Sequence, residues 1–135
     1  MAGTARLSAR MKALALALAL ALALAAVPAA LAEPASPDEV SRSIARALYE
    51  EARSRAETGD WASAASLLAE AAAHDGADSD IRYLSALAAY RTGAPLGEAL
   101  ADLDAAIASG RFADYAEREA RMAAAGFLAD ERRWD

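Results

Sequence analysis

The side chains that do most protein chemistry are scarce in this chain of 135 residues. His74 is the only histidine and there is no cysteine, so the chain lacks both a zinc ligand set and a thiol nucleophile. His74 falls in a predicted turn, where we interpret it as a solvated residue. No Gly-x-Ser-x-Gly turn, phosphate loop or dinucleotide fingerprint occurs. The sequence therefore predicts no catalytic residue, no metal and no cofactor.

Carboxylates are abundant, but their spacing singles out no site. Asp75, Asp78 and Asp80 crowd one turn, and oxygen ligands of this kind bind calcium. Their spacing does not fit an EF-hand loop, so we interpret them as caps of the following helix. Paired carboxylates cleave glycans when burial keeps one of them protonated. An envelope glycan-active enzyme is thus the weakest alternative, because no pair stands out.

Capping residues and glycine turns divide the chain after Ser36 into predicted helices. The run Ser36-Pro37-Asp38-Glu39 is typical of a helix start, since serine caps and glutamate closes a capping box. Gly59 and Asp60 end that helix and cap the next. The predicted helices cover residues 37–57, 61–73, 79–91, 95–109 and 114–131. Their short connections predict an all-α fold of antiparallel helical hairpins stacked as a short solenoid.

Apolar and small residues recur 35 positions apart along these helices. Trp61, Ala64, Leu68 and Ala71 are followed by Leu96, Ala99, Leu103 and Ala106. With this pattern the chain resembles the tetratricopeptide repeat family and, more distantly, its Sel1 relatives. An unrelated helical bundle remains the alternative, because Leu87, Arg55 and Gly76 depart from the family pattern. The resemblance implies a repeat core of Leu48, Ala52, Trp61, Ala64, Leu68, Ala71, Tyr83, Leu87, Tyr90, Leu96, Ala99, Leu103 and Ala106.

The resemblance also implies a binding surface. In the family, the first helix of each pair lines a concave groove, and the corresponding residues here are Arg46, Tyr49, Arg53, Ile81, Leu84 and Arg91. Arginines beside an aromatic ring bind peptide carboxylates and apolar side chains. The alternative is a solvated helix face on which Arg46 and Arg53 pair with Glu50 and Glu57 four residues on.

The beginning of the chain has the pattern of an export signal. A basic start is followed by an apolar stretch over residues 13–27, and small residues then precede a cleavage position between Ala32 and Glu33. We predict a periplasmic or secreted protein with three parts: a signal peptide at 1–32, a tether at 33–36 and a repeat domain at 37–135. The alternative is an uncleaved anchor, since residues 13–32 approach the roughly 20 apolar residues that cross a bilayer. That would make the protein an adaptor anchored in the inner membrane.

Charge narrows the class of partner. Three of the 14 basic residues lie in residues 1–32, so the remaining 103 residues carry 11 basic and 20 acidic side chains, a formal net charge of −9. Like charge opposes approach to nucleic acid and to anionic lipid. The sequence predicts a non-catalytic scaffold of the bacterial cell envelope that binds a protein or peptide. The end at Trp134 and Asp135 is interpreted either as a truncated reading frame or as the edge of a solvating last helix.

Overall fold

A computed structural model describes residues 33–132, which contain five α-helices and no strand. The all-α class is confirmed for this part of the chain. The helices are α1 (Pro37–Glu57), α2 (Trp61–His74), α3 (Ser79–Arg91), α4 (Leu96–Ser109) and α5 (Glu117–Arg132). Each helix packs against the next one in the chain, and α3 also contacts α1 and α5. The predicted signal segment at 1–32 lies outside the described residues, as does Trp134.

Local capping explains where three of the helices begin and where α1 ends. Ser36 and Glu39 form the predicted capping box at the start of α1, with Ser36 Oγ accepting from the Glu39 N–H at 3.2 Å. Asp60 and Asp78 accept from the backbone N–H groups of Ser63 and Ile81 and so cap α2 and α3. Gly59 has a φ of +83°, which permits the tight turn between α1 and α2.

The last helix begins three residues later than the sequence predicts. Residues 114–116 are not helical, and α5 starts at Glu117. The physical reason is a competing acceptor, because the N–H groups of residues 113–115 donate to the carboxylate of Asp80. The Ala116 N–H donates to Glu119 Oε2 at 2.8 Å, which satisfies the first free donor ahead of the helix.

Two clusters of buried side chains hold the helices together. The first joins α1, α2 and α3 and contains the large residues Tyr49, Leu68, Ile81 and Leu84 among alanines. The second joins α3, α4 and α5 around Leu103 and Phe127. Alanine supplies much of both clusters, and its small side chain lets helix axes approach closely.

The predicted repeat core is split by the structure into interior and edge positions. Fully buried positions are Ala52, Ala64, Leu68, Ala71, Ala99, Leu103 and Ala106. The remaining predicted core residues, all of them large, are only half-buried and pack against the cluster edges: Leu48, Trp61, Tyr83, Leu87, Tyr90 and Leu96. The core between the helices is therefore built mostly from small residues, and larger side chains pack around its edges. Among the described residues, no helix is both long enough and apolar enough to cross a membrane.

Candidate functional site

Half of the predicted groove is not on the surface. Tyr49 and Ile81 are fully buried, and Leu84 is only 3% exposed. All three belong to the cluster between α1, α2 and α3. Helical spacing directs Tyr49 on α1 toward α2 and α3, and it directs Ile81 and Leu84 on α3 toward α1 and α2. None of the three side chains points to solvent. The placement of these three side chains in a partner-binding groove is therefore wrong.

The two predicted groove arginines on α1 are paired within the molecule. Arg46 Nη2 binds Glu50 at 3.1 Å and also binds the carboxylate of Asp114, while its Nη1 lies 3.5 Å from Asp80. Arg53 Nε lies 3.5 Å from Glu57, and its Nη1 lies 3.7 Å from Asp114. The pairs with Glu50 and Glu57 are those of the solvated-face alternative. Asp114 is an additional partner, which the loop before α5 brings to both arginines.

The pKa values around this cluster follow from its burial and charges. Desolvation opposes ionisation of Asp114, but the Tyr49 side chain and the guanidinium groups of Arg46 and Arg53 outweigh it and lower the pKa of Asp114. Burial raises the pKa of the Tyr49 hydroxyl, and the neighbouring Tyr115 adds to the shift. Asp114 is thus ionised at neutral pH and neutralises part of the positive charge that a peptide carboxylate would need.

Asp80 holds the loop before α5 in place through hydrogen bonds from the loop backbone. Its side chain is fully buried, and its two oxygens accept three backbone N–H bonds of 3.0 to 3.1 Å from residues 113–115. The adjacent Ser79 is also buried; its hydroxyl donates to the Ala106 carbonyl at 2.7 Å and accepts from the Arg111 N–H at 2.8 Å. We call this set the Asp80 anchor: Ser79, Asp80 and the loop of residues 111–115. It fixes the position of Asp114 and, through the loop, the start of α5.

Arg91, the last predicted groove residue, is exposed at the end of α3. Its guanidinium carbon lies 5.6 Å from the ring centroid of Trp61, a cation–π contact at the start of α2. Arg91 therefore lies apart from Arg46 and Arg53, which cluster around Asp114. The structure does not bring the six predicted groove residues together on one surface.

His74 lies in a setting that the sequence did not indicate. Its Nδ1 is 3.3 Å from the Ser41 hydroxyl, which also contacts the His74 carbonyl oxygen at 3.3 Å. Both residues line an open cleft of about 420 Å³ that we call the polar cleft. Its other lining residues are Asp38, Arg42, Asp75 and Arg111. The 33 residues that separate Ser41 from His74 explain why no local pattern could pair them.

The crowded carboxylates at the turn before α3 have three separate roles. Asp75 accepts from Arg111 Nη1 and Nη2 at 3.3 and 3.1 Å. Asp78 caps α3, and Asp80 anchors the loop before α5. Only the capping role of Asp78 is local in sequence, so the other two assignments required the fold.

A second hollow lies between α2, α3 and α4, and we call it the alanine hollow. It has a volume of about 370 Å³, and its apolar lining consists of Ala65, Ala69, Ala72, Ala89 and Ala94. Polar side chains also line it, including Arg82, whose Nη1 is 3.0 Å from Asp102 Oδ1. Glu98 is an exposed lining residue on α4. An apolar surface combined with a few polar groups is a typical arrangement for holding a ligand or a partner segment.

No protein-family model, no curated protein and no solved structure matches the chain. The tetratricopeptide resemblance therefore stays a prediction from the residues. The described residues form two candidate sites: the polar cleft at the α1–α2 end and the alanine hollow over α2, α3 and α4.

Proposed function

We propose that this protein is an exported, non-catalytic scaffold of the bacterial periplasm or cell envelope that binds a helix of another protein. The observation that carries this proposal is the alanine hollow, whose small side chains leave an accessible recess over three helices. The export part rests on the sequence of residues 1–32. The binding part rests on the geometry of α2, α3 and α4.

The lining of the hollow suits a helical partner. Alanine methyl groups on α2 and α3 leave room for a partner backbone to approach closely, as small residues do wherever helices pack tightly. The helix-in-groove mode of recognition uses apolar anchors at every third and fourth residue of the partner. A partner helix with small apolar residues at that spacing is therefore the expected occupant.

Charge favours a basic residue on the partner. Glu98 lines the hollow and forms no ion pair with any residue in the described part of the chain, whereas Asp102 is already paired with Arg82. The region after residue 32 also carries the net negative charge described above. A lysine or arginine at one edge of the partner helix would complement Glu98 and would be attracted over a longer range by the whole domain.

The proposed architecture is a short solenoid of tetratricopeptide-like hairpins. It is supported by the 35-residue recurrence and by the contacts of α3 with both α1 and α5, which would be the first helices of successive pairs. In such an array the hollow lies across the second helix of one pair and both helices of the next. The binding surface proposed here therefore replaces the concave groove around Arg46, which is filled by internal contacts.

A crosslinked pull-down of the full-length chain from an envelope fraction tests the proposal. Ala69 is exposed and lines the hollow, so Ala69→Arg should block the hollow without disturbing the core. Ala47 is an exposed alanine in the middle of α1 that does not line the hollow, which makes Ala47→Arg the matched control. We expect a partner that is captured by the wild type and by the Ala47 variant and is lost with the Ala69 variant.

Two results would contradict the proposal. Equal capture by both variants would show that the hollow is not the binding surface. Mass spectrometry of the N-terminus of the chain tests the export part, where a start at Glu33 is expected. An intact Met1 end in the envelope fraction would favour the membrane-anchored adaptor.

A further inference from the structure

The polar cleft contains two charged side chains that have no ion-pair partner within the described residues. Arg42 forms no salt bridge there, and its Nε donates only to the backbone carbonyl of Asp38, at 3.3 Å. The Asp38 carboxylate likewise forms no ion pair in the described part of the chain. The cleft therefore presents one available positive group and one available negative group, four residues apart on α1.

The other charged pair in the cleft is already satisfied. Arg111 binds both carboxylate oxygens of Asp75, and Asp75 Oδ1 also accepts from the Ala77 N–H at 3.3 Å. The Asp75 side chain is only 12% exposed, so this pair forms a fixed, nearly neutral wall. The charge available to a ligand comes from Asp38 and Arg42.

The Ser41 and His74 contacts add polar groups between these charges. The Ser41 hydroxyl has one proton and faces two atoms of His74, the carbonyl oxygen and Nδ1. If Ser41 donates to the carbonyl, Nδ1–H must donate to Ser41, and Nε2 is then the ring atom available to a ligand. Both residues come from elements packed together, α1 and the end of α2, so they give the cleft a fixed polar floor.

We infer that the polar cleft binds a small zwitterion of dipeptide size, with its carboxylate on Arg42 and its ammonium on Asp38. A ligand with no net charge also avoids the repulsion that the acidic domain exerts on anions. Side chains four apart on a helix are separated by about 5–6 Å at Cβ. The ends of an extended dipeptide are about 7 Å apart, which matches that spacing better than a single amino acid does. This site is separate from the alanine hollow, with no lining residue in common.

Isothermal titration of the full-length chain with L-alanyl-L-alanine tests the inference at neutral pH, where both ends of the dipeptide are charged. N-acetylated dialanine, dialanine amide and free L-alanine are the comparison ligands. We expect the unblocked dipeptide to bind most tightly. Each blocked form should lose about tenfold or more in affinity, the scale of one charge-assisted hydrogen bond.

Variants of the same helix identify the site. Arg42→Gln and Asp38→Asn should each weaken dialanine binding by about tenfold, whereas Arg42→Lys should retain part of it because the charge is kept. Arg55→Gln is the matched control, since Arg55 is an exposed arginine of α1 that pairs with Glu51 at 2.9 Å and does not line the cleft. Circular dichroism verifies that each variant keeps its helical content.

Several results would overturn the inference. No heat of binding with any of the four ligands would exclude a zwitterion site. Binding that survives both Arg42→Gln and Asp38→Asn would place the ligand elsewhere. Equal affinity for the acetylated dipeptide would remove the role of Asp38, and equal or tighter binding of alanine would contradict the dipeptide size.

Discussion

Asp80 and Asp114 both lie beside Arg46, but different kinds of donor bind the two carboxylates. Asp80 is fully buried and receives three backbone N–H bonds, with Arg46 Nη1 more distant at 3.5 Å. The Asp114 side chain is 28% exposed and is bound by guanidinium groups on long side chains. Backbone donors fixed in a loop cost little further entropy to hold, whereas two flexible arginines must be immobilised. The comparison indicates that Asp80 stabilises the fold and that Asp114 contributes mainly to surface charge.

The largest expected effect is the loss of the Asp80 charge. In Asp80→Asn the amide NH2 group would face backbone N–H donors of part-buried hydrogen bonds, so at least one donor would lose its acceptor. We expect the free energy of unfolding to fall by about 3 kcal/mol, the upper end of the range for losing a hydrogen bond to a charged group. Urea unfolding measures the loss, and hydrogen exchange should show reduced protection of the N–H groups of residues 113–115. Asp104→Asn is the control, because Asp104 is exposed on α4; a similar small loss in both variants would contradict the role given to Asp80.

The Tyr49 hydroxyl sharpens the comparison, because it is a buried polar group that lies near the Asp114 carboxylate without forming a hydrogen bond of normal geometry. It is close enough to lower the pKa of Asp114, but its oxygen has no partner at hydrogen-bond geometry among the described residues. Tyr49→Phe keeps the ring in the core and removes the group that is costly to bury, so we expect the protein to become more stable by about 1 kcal/mol. Thermal and urea unfolding give the sign. A clear loss of stability would mean that the hydroxyl forms a bond in solution.

Asp114 should matter less than Asp80 although it contacts two arginines. In Asp114→Asn we expect a loss of about 1 kcal/mol or less, since exposed ion pairs contribute little and are screened by salt. The loss should shrink further in high salt. A loss as large as that of Asp80→Asn would break the distinction between the two carboxylates.

The smallest expected effect is a pH dependence from Asp114. The pKa of Asp114 is lowered in the folded protein below 3.8, the ordinary value of an aspartate, so the folded state favours the ionised carboxylate. The stabilisation is therefore present above that value and is lost as pH falls through the lower folded pKa. The stability difference between wild type and Asp114→Asn should stay constant from pH 7 to about pH 5 and should narrow below pH 3.8. A difference that widens in acid would reverse the assigned direction.

Local features of the fold were predictable because they act over three or four residues. Ser36 and Asp60 cap the helices that follow them, and Gly59 adopts the left-handed conformation between α1 and α2. Such contacts depend on neighbours in the chain, and residue type and spacing identify them. The same reasoning gave the bounds of α1 and α3 without error.

The surfaces were less predictable, because a helical pattern gives a periodicity but not the partner of each face. Tyr49, Ile81 and Leu84 share helical spacing with groove positions, yet α2 and the adjoining helix cover them. Small residues add to the difficulty. Alanine is compatible with core, hollow and solvent alike, so alanines that line the hollow give no distinguishing signal in the sequence.

The sequence by itself determined the helices, their caps and the acidic character of the chain, since these depend on composition and short-range spacing. Only the tertiary structure decided which charges are used internally and which are left at the surface. Asp80 meets its donors 33 to 35 residues away, and Ser41 meets His74 across 33 residues. Contacts at such separations depend on how the helices pack, and packing is a cooperative property of all the side chains at an interface.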